Sequence, residues 1–162
     1  LELFVDICNE LNIELLFAGT CNDYSIFEPY IKASNGRIRT LGQKSHEEIL
    51  ELEKNASYLV NIGSENPYTI PGKIFEYMRF KKPIISTYSI DNEPSIEYLK
   101  KYGAAFFVDE RKISKGSIDS LKSFIESNEV VNISDEYCQH TFYKNTPQAF
   151  IDTLEKVLEV QR

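Results

Sequence analysis

The apolar residues of the chain follow two alternating patterns. Short, mostly apolar runs predict buried strands at 13–18, 37–41, 57–62, 83–88 and 104–108. Between these runs, apolar residues at three- and four-residue spacing predict helices, such as the one that begins at Ser45 with a Ser–Glu capping box. Strand and helix alternate with short connections. The sequence therefore predicts a doubly wound, Rossmann-like α/β domain with a parallel sheet and helices on both faces.

The stretch from Asn61 to Ser86 combines the end of one strand, an irregular loop, a helix and a second strand. The helix is predicted to begin near Gly72 and Lys73. Because the first N–H groups of a helix have no partner inside it, they are expected to be free to hold an anion. Lys73 and Glu76 share one face of this first turn. A cation and a carboxylate in this place suit a ligand with phosphate and hydroxyl groups, such as a nucleotide sugar.

The ends of the predicted strands supply further candidate positions, since sheets of this class bind ligands at the carboxyl ends of their strands. Glycine follows several of these strands, and a residue without a side chain lets a ligand approach the backbone. Each such glycine can equally be an ordinary turn residue. The candidate ligand-binding positions from the strand ends and the central loop are Gly19, Gly42, Gln43, Gly63, Ser64, Pro71 and Gly72.

Composition and charge narrow the classes of function. A chain of 162 residues suits one domain with a full core and is short for two. The net charge of −7 argues against nucleic acid as a ligand, which requires a concentrated basic surface. The cysteines Cys8, Cys21 and Cys138 show no metal or redox spacing, so no metal site is expected and a reducing cytoplasmic setting is the simplest interpretation.

Two segments resemble a signature of bacterial GT-B glycosyltransferases of the group 1 type. Pro71–Met78 and Lys82–Ile85 are similar to the family pattern P-x-K-x-x-E-Y followed by G-K-P-I-I, which lies in the C-terminal, donor-binding half of these enzymes. The resemblance implies that Glu76 binds the ribose hydroxyls of the donor. It also implies that Lys73, with the helix terminus, stabilises the charge that develops on the leaving diphosphate. Lys73 and Glu76 are therefore the candidate catalytic residues.

The resemblance extends over most of the chain. Ile38–Gly42, with the helix behind it, resembles the family segment whose glycine faces the nucleotide base, which would place Gly42 and Gln43 beside the base. Tyr143–Pro147 resembles the closing loop before the last helix, which packs back towards the other domain in complete enzymes of this family.

Two departures from the family pattern change what is expected. Tyr68 stands where many retaining members carry the first of two glutamates, so the sugar would be handled differently. The family's Arg and Lys for the pyrophosphate, its first strand and its acceptor-binding domain would all precede Leu1. Residues 1–162 therefore resemble a single nucleotide-sugar-binding domain from the C-terminal half of a two-domain enzyme, and isolated activity is not expected.

The resemblance implies a hexosyl-type transfer from a nucleoside diphosphate sugar to a glycan or lipid-linked acceptor in surface polysaccharide synthesis. No cofactor beyond the donor substrate is expected, and the acceptor would be bound through the N-terminal domain. The expected location is the cytoplasm, with peripheral association of the full enzyme with the inner face of the membrane. A nucleotide-sugar epimerase of similar architecture and a non-catalytic, flavodoxin-like regulatory or interaction domain remain as alternatives.

Overall fold

Strands and helices alternate along the chain in a computed structural model, which describes residues 1–127, 131–145 and 147–160. The strands are β1 (Leu15–Ala18), β2 (Ile38–Gly42), β3 (Leu59–Ile62), β4 (Ile84–Tyr88) and β5 (Ala105–Asp109). The helices are α1 (Glu2–Leu11), α2 (Glu28–Ala33), α3 (His46–Asn55), α4 (Lys73–Arg79), α5 (Ser95–Tyr102), α6 (Lys115–Ser127), α7 (Asp135–Thr141) and α8 (Pro147–Val160). Short 3₁₀ helices lie at Tyr24–Phe27, Glu110–Lys112 and Tyr143–Asn145.

The pairing of the strands confirms the predicted doubly wound α/β class, since every strand pair of the described residues is parallel. Where the sequence predicts one sheet, however, the hydrogen bonds define two. Strand β1 pairs with β2, while β3, β4 and β5 form a second sheet in that order. The expectation of a further strand upstream of Leu1 stays a prediction.

Two hydrophobic clusters place helices on both faces of the larger sheet. Ile84 and Ile85 are neighbours in β4, so their side chains point to opposite faces. Ile85 belongs to a cluster with α1 and α6, which also includes Ile38 of β2 and so joins the two sheets. Ile84 belongs to a second cluster, in which Ile74 and Met78 of α4 pack with residues of α5. Helix α4 is thus fixed against β3 and β4 by its buried side.

Two of the helices begin at a serine whose side chain caps them. In α3 the predicted capping box is present: Ser45 Oγ accepts the Glu48 N–H at 3.2 Å, and the Ser45 N–H donates to the Glu48 carboxylate at 2.8 Å. Helix α7 begins after Ser134, whose hydroxyl oxygen accepts the Tyr137 N–H at 3.0 Å.

The C-terminal helix α8 is less packed than its apolar spacing suggests. Phe150 and Leu154 are four residues apart, a spacing that predicts an apolar side of this helix, yet Phe150 is 66% exposed and Leu154 is 46% exposed. Thr146 of the expected closing loop lies outside the described residues. Among the helices described, none combines the length and the apolar character that crossing a membrane requires.

Candidate functional site

The loop between β3 and α4 is held by its own side chains. Ser64 Oγ accepts the Asn66 N–H at 3.0 Å, and Asn66 Oδ1 accepts the Tyr68 N–H at 3.0 Å. Such side-chain-to-backbone bonds replace the regular ladder where the chain turns. Tyr68 is 93% exposed at this loop. The hydroxyl oxygen of Ser64, a predicted donor-binding residue, therefore serves the loop itself.

Gly63 has a packing reason for being glycine. Its N–H donates to the Thr87 carbonyl at 2.9 Å, so the ends of β3 and β4 lie against each other. A Cβ atom at this position would stand 2.5 Å from the Thr87 oxygen and 3.1 Å from the Tyr88 Cα. From the sequence, Gly63 is predicted to let a ligand approach the backbone. In the structure it is the neighbouring strand β4 that approaches Gly63 closely.

The first turn of α4 forms an ion cluster with α3, called the Lys73 cluster below and made of Lys73, Glu53 and Glu76. Lys73 Nζ donates to Glu53 Oε1 at 2.8 Å and to Glu76 Oε2 at 2.9 Å. The Glu53 side chain is 9% exposed, that of Glu76 is 23% exposed and that of Lys73 is 48% exposed. The predicted pairing of Lys73 with Glu76 is present, and Glu53 is a third member that the sequence did not suggest.

The N–H groups at the start of α4 are less available than the sequence predicts. The Ile74 N–H donates to the Pro71 carbonyl at 3.2 Å, and the Phe75 N–H donates to the Gly72 carbonyl at 3.2 Å. The expectation that the first N–H groups are free to hold an anion is therefore wrong for these two. Pro71 and Gly72, both predicted donor-binding residues, provide the carbonyls that close this turn. The helix is also short, with seven residues, so its dipole is small.

The carboxylates control the electrostatics of the Lys73 cluster. Burial disfavours the charged ammonium, but the hydrogen bonds that Lys73 donates to Glu53 and Glu76, together with the charges of these carboxylates, outweigh burial and raise the pKa of Lys73. Glu53 Oε2 is buried and has no hydrogen-bond partner among the described residues. Burial, followed by the negative charge of Glu53, raises the pKa of the neighbouring Tyr77. Glu53 is thus the enclosed member of the cluster, while Lys73 and Glu76 also face solvent.

The candidates on the smaller sheet meet at the carboxyl ends of β1 and β2. The Gly19 N–H donates to the Gly42 carbonyl at 2.8 Å, and the Tyr24 hydroxyl donates to the Gly19 carbonyl at 2.8 Å. Gly19 and Gly42 have positive φ angles of 138° and 66°, at which a residue with a side chain would be strained. Gln43 follows with an exposed side chain. The hydrogen bonds and ion pairs of the described residues do not connect this pair of glycines with the Lys73 cluster.

Asn61, Ser86, Ser95 and Glu93 form a buried polar group near the ends of β3 and β4, which the sequence does not predict. Asn61 Nδ2 lies 2.9 Å from Ser86 Oγ and 3.3 Å from Ser95 Oγ, and Ser95 Oγ donates in turn to Glu93 Oε2. Glu93 Oε1 has no partner among the described residues, although Glu93 is 3% exposed. The available signal was the presence of Asn61 and Ser86 inside two otherwise apolar runs.

Comparison with known proteins yields a similar fold among the solved structures and several distant sequence relatives. No known family model matches the chain. The fold is similar to the crystal structure of AviGT4, a glycosyltransferase involved in avilamycin A biosynthesis, with a TM-score of 0.67 and 12% sequence identity. That similarity covers 97% of this chain and 46% of AviGT4. The chain therefore shares its Rossmann-like α/β fold with the matched part of AviGT4; an identity this low supports the fold alone.

The sequence relatives are named as a different kind of enzyme from AviGT4. Two biotin synthases of Methanococcus maripaludis, from strains C7 and S2, are each 26% identical over 160 residues, which are 98% of this chain and 43% of the relative. The chain thus spans less than half the length of the curated relatives it matches. Sequence and structure comparisons agree that nearly the whole chain has counterparts in longer proteins, and they differ in the activity of those proteins.

Proposed function

We propose that this chain is the nucleotide-sugar-binding part of a glycosyltransferase. The parent enzyme transfers a sugar from a nucleoside diphosphate donor to a glycan or lipid-linked acceptor, with the acceptor bound by a further domain. A hexosyl donor and a role in surface polysaccharide synthesis follow from the sequence resemblance. The full enzyme works in the cytoplasm, in peripheral contact with the membrane face where a lipid-linked acceptor would lie.

The observation that carries this proposal is the position of Glu76. Its carboxylate stands in the first turn of α4, after the loop that follows β3, and it is partly exposed. Lys73 bonds to Oε2, and within the described part of the chain no donor is bonded to Oε1. A carboxylate held in this way can accept hydrogen bonds from the two adjacent hydroxyls of a ribose. The fold that the chain shares with AviGT4 supports the same interpretation.

Nucleotide titration of the full-length protein tests the proposal. UDP and GDP are titrated by calorimetry into the wild-type protein and into Glu76→Ala. Hydrogen bonds to a charged group contribute about 1.5–3 kcal/mol each, so the variant is expected to bind about tenfold more weakly or worse. Glu97→Ala is the matched control, because Glu97 is also paired with a lysine of its own helix but lies on α5.

Three outcomes would contradict the proposal or redirect it. Unchanged affinity in a folded Glu76→Ala variant removes the ribose-binding assignment. Conversion of a nucleotide sugar into its isomer, with no new glycosidic bond, indicates the epimerase alternative. Tight binding of flavin with no binding of either nucleotide indicates the flavodoxin-like alternative.

The name of the sequence relatives gives a second candidate function. Their similarity covers 98% of this chain, so a role as part of a biotin synthase has an observation in its favour. Growth of a biotin-requiring strain that carries the full-length gene would support this candidate. We favour the glycosyltransferase because the fold and the strand–loop–helix signature indicate the same class of enzyme.

A further inference from the structure

The Lys73 cluster contains one positive charge and two negative charges. Lys73 has three N–H donors, and Glu53 and Glu76 accept two of them at 2.8 and 2.9 Å. With one ammonium against two carboxylates, the cluster as a whole is negatively charged. A negatively charged cluster repels a diphosphate and attracts hydroxyl groups, which donate hydrogen bonds to carboxylate oxygens.

The start of α4 adds little positive charge to the cluster. Ile74 and Phe75 use their N–H groups within the turn, and α4 is too short for a strong dipole. Glu53 adds a second carboxylate oxygen that is buried and without a partner. The first turn of α4 therefore suits the ribose better than the phosphates of a donor.

Glu53 also fixes where the ammonium can be. It stands on α3, a different helix from Lys73 and Glu76, and its side chain is almost fully enclosed. A buried carboxylate without its cation is strongly unfavourable, so Glu53 keeps Lys73 in place. Lys73 in turn donates a hydrogen bond to Glu76 Oε2. This bond fixes the orientation of the Glu76 carboxylate and therefore the direction of its second oxygen, Oε1.

We propose that Lys73 is a positioning residue, clamped by Glu53, that orients Glu76 towards the ribose hydroxyls and does not contact the diphosphate. This inference rests on the proposed function, because it assumes a nucleoside diphosphate donor at Glu76. It replaces the phosphate-side role that the sequence resemblance implies for Lys73, and it adds Glu53 to the site.

The test compares a nucleoside with its diphosphate. In the full-length protein, the affinities of UDP and uridine, and of GDP and guanosine, are measured by NMR titration for wild type and Lys73→Met. If Lys73 acts only through Glu76, the variant weakens the nucleoside and the diphosphate by the same factor, about three- to tenfold. A lysine that only stabilised the fold would change neither affinity in the folded protein.

Two further variants keep the test decisive. Glu53→Gln/Lys73→Met removes the uncompensated carboxylate, so it is expected to be less destabilised than Lys73→Met, and it should show the same equal weakening. Lys101→Met is the matched control, since Lys101 pairs with Glu97 on an exposed face of α5. It should bind both ligands as the wild type does.

The remaining outcomes separate this inference from the function it assumes. A loss of tenfold or more for the diphosphate, with the nucleoside unchanged, makes Lys73 a phosphate ligand. That result overturns the inference and leaves the proposed function standing. Unchanged affinity for both ligands in the variants also overturns the inference. A wild-type protein that binds neither nucleotide nor nucleoside removes the proposed function, and the inference with it.

Discussion

Two ion clusters in this chain have a similar make-up and different surroundings. The counterpart of the Lys73 cluster lies at the end of β5; it is called the Arg111 cluster and is made of Arg111, Asp91 and Asp109, with Lys112 3.7 Å from Asp109. There the guanidinium bonds to both oxygens of Asp109 at 2.8 Å and to Asp91 at 2.6 Å. Each cluster has one enclosed carboxylate, because the side chain of Glu53 is 9% exposed and that of Asp109 is 14% exposed. The second carboxylates differ: Glu76 is 23% exposed and Asp91 is 89% exposed.

The second carboxylate and the distance along the chain determine what each cluster does. Asp91 is hydrated whether or not Arg111 is present, and Asp109 is only two residues from Arg111, so the Arg111 cluster mainly fastens the turn after β5. Glu53 is enclosed and lies twenty residues from Lys73, so the Lys73 cluster links α3 to α4 and fixes the side chains at the start of α4. A similar set of charges therefore indicates neither equal strength nor equal function.

The largest expected effect separates the two clusters by stability. Lys73→Met is expected to lower the free energy of unfolding by about 1–3 kcal/mol, less than for a fully buried pair because Lys73 is half-exposed. The loss arises because the enclosed carboxyl group of Glu53 is left without its ion-pair partner. Urea unfolding of the full-length protein measures it. Glu53→Gln/Lys73→Met should recover part of the loss, and a double variant less stable than Lys73→Met would contradict this account.

A smaller effect is expected from salt. Raising NaCl from about 0.1 to 1 M shortens the screening length from about 10 to 3 Å, which weakens exposed pairs most. A double-mutant cycle between Arg111 and Asp91 should lose most of its coupling at high salt. The same cycle between Lys73 and Glu53 should keep most of it, because the Glu53 side chain is only 9% exposed. Equal salt dependence would mean that the enclosure of Glu53 does not matter.

The smallest effect concerns acid. The side-chain hydrogen bonds from Arg111 are the main reason why the pKa of Asp109 is lowered to about 2, from an ordinary value of 3.8. A group with a lowered pKa stabilises the fold above its unfolded pKa and loses that contribution as pH falls towards the folded pKa. Asp109→Asn should therefore show a flatter fall in urea midpoint between about pH 4 and pH 2 than wild type. Parallel curves would contradict the assigned cause.

The alternation of strands and helices was predictable because each element carries its own period of apolar residues. The apolar run 83–88 and the spacing of Ile74 and Met78 correctly place a strand and a helix against each other. The division into two sheets was not predictable, because pairing between β1 and β3 depends on tertiary geometry rather than on either strand's composition. The open face of α8 was missed for the same reason.

The candidate site was predictable only where its residues are close in sequence. Lys73 and Glu76 are three apart, so helical spacing alone joins them. Glu53 lies twenty residues from Lys73 on another helix, so no local spacing joins the two residues. A signal was present, since Glu53 is four residues after Ile49 and therefore falls on the apolar side of the helix. Asn61 likewise finds its partners far along the chain.

The split between the two sheets has a consequence for handling this polypeptide. The described strands form a two-stranded and a three-stranded sheet, which together have four edge strands, whereas a single five-stranded sheet would have two. The backbone N–H and C=O groups along an edge strand can pair with an additional strand from another molecule. When the chain is produced by itself, these edge strands are where self-association would begin, and added charged residues along β1 or β3 are the natural remedy.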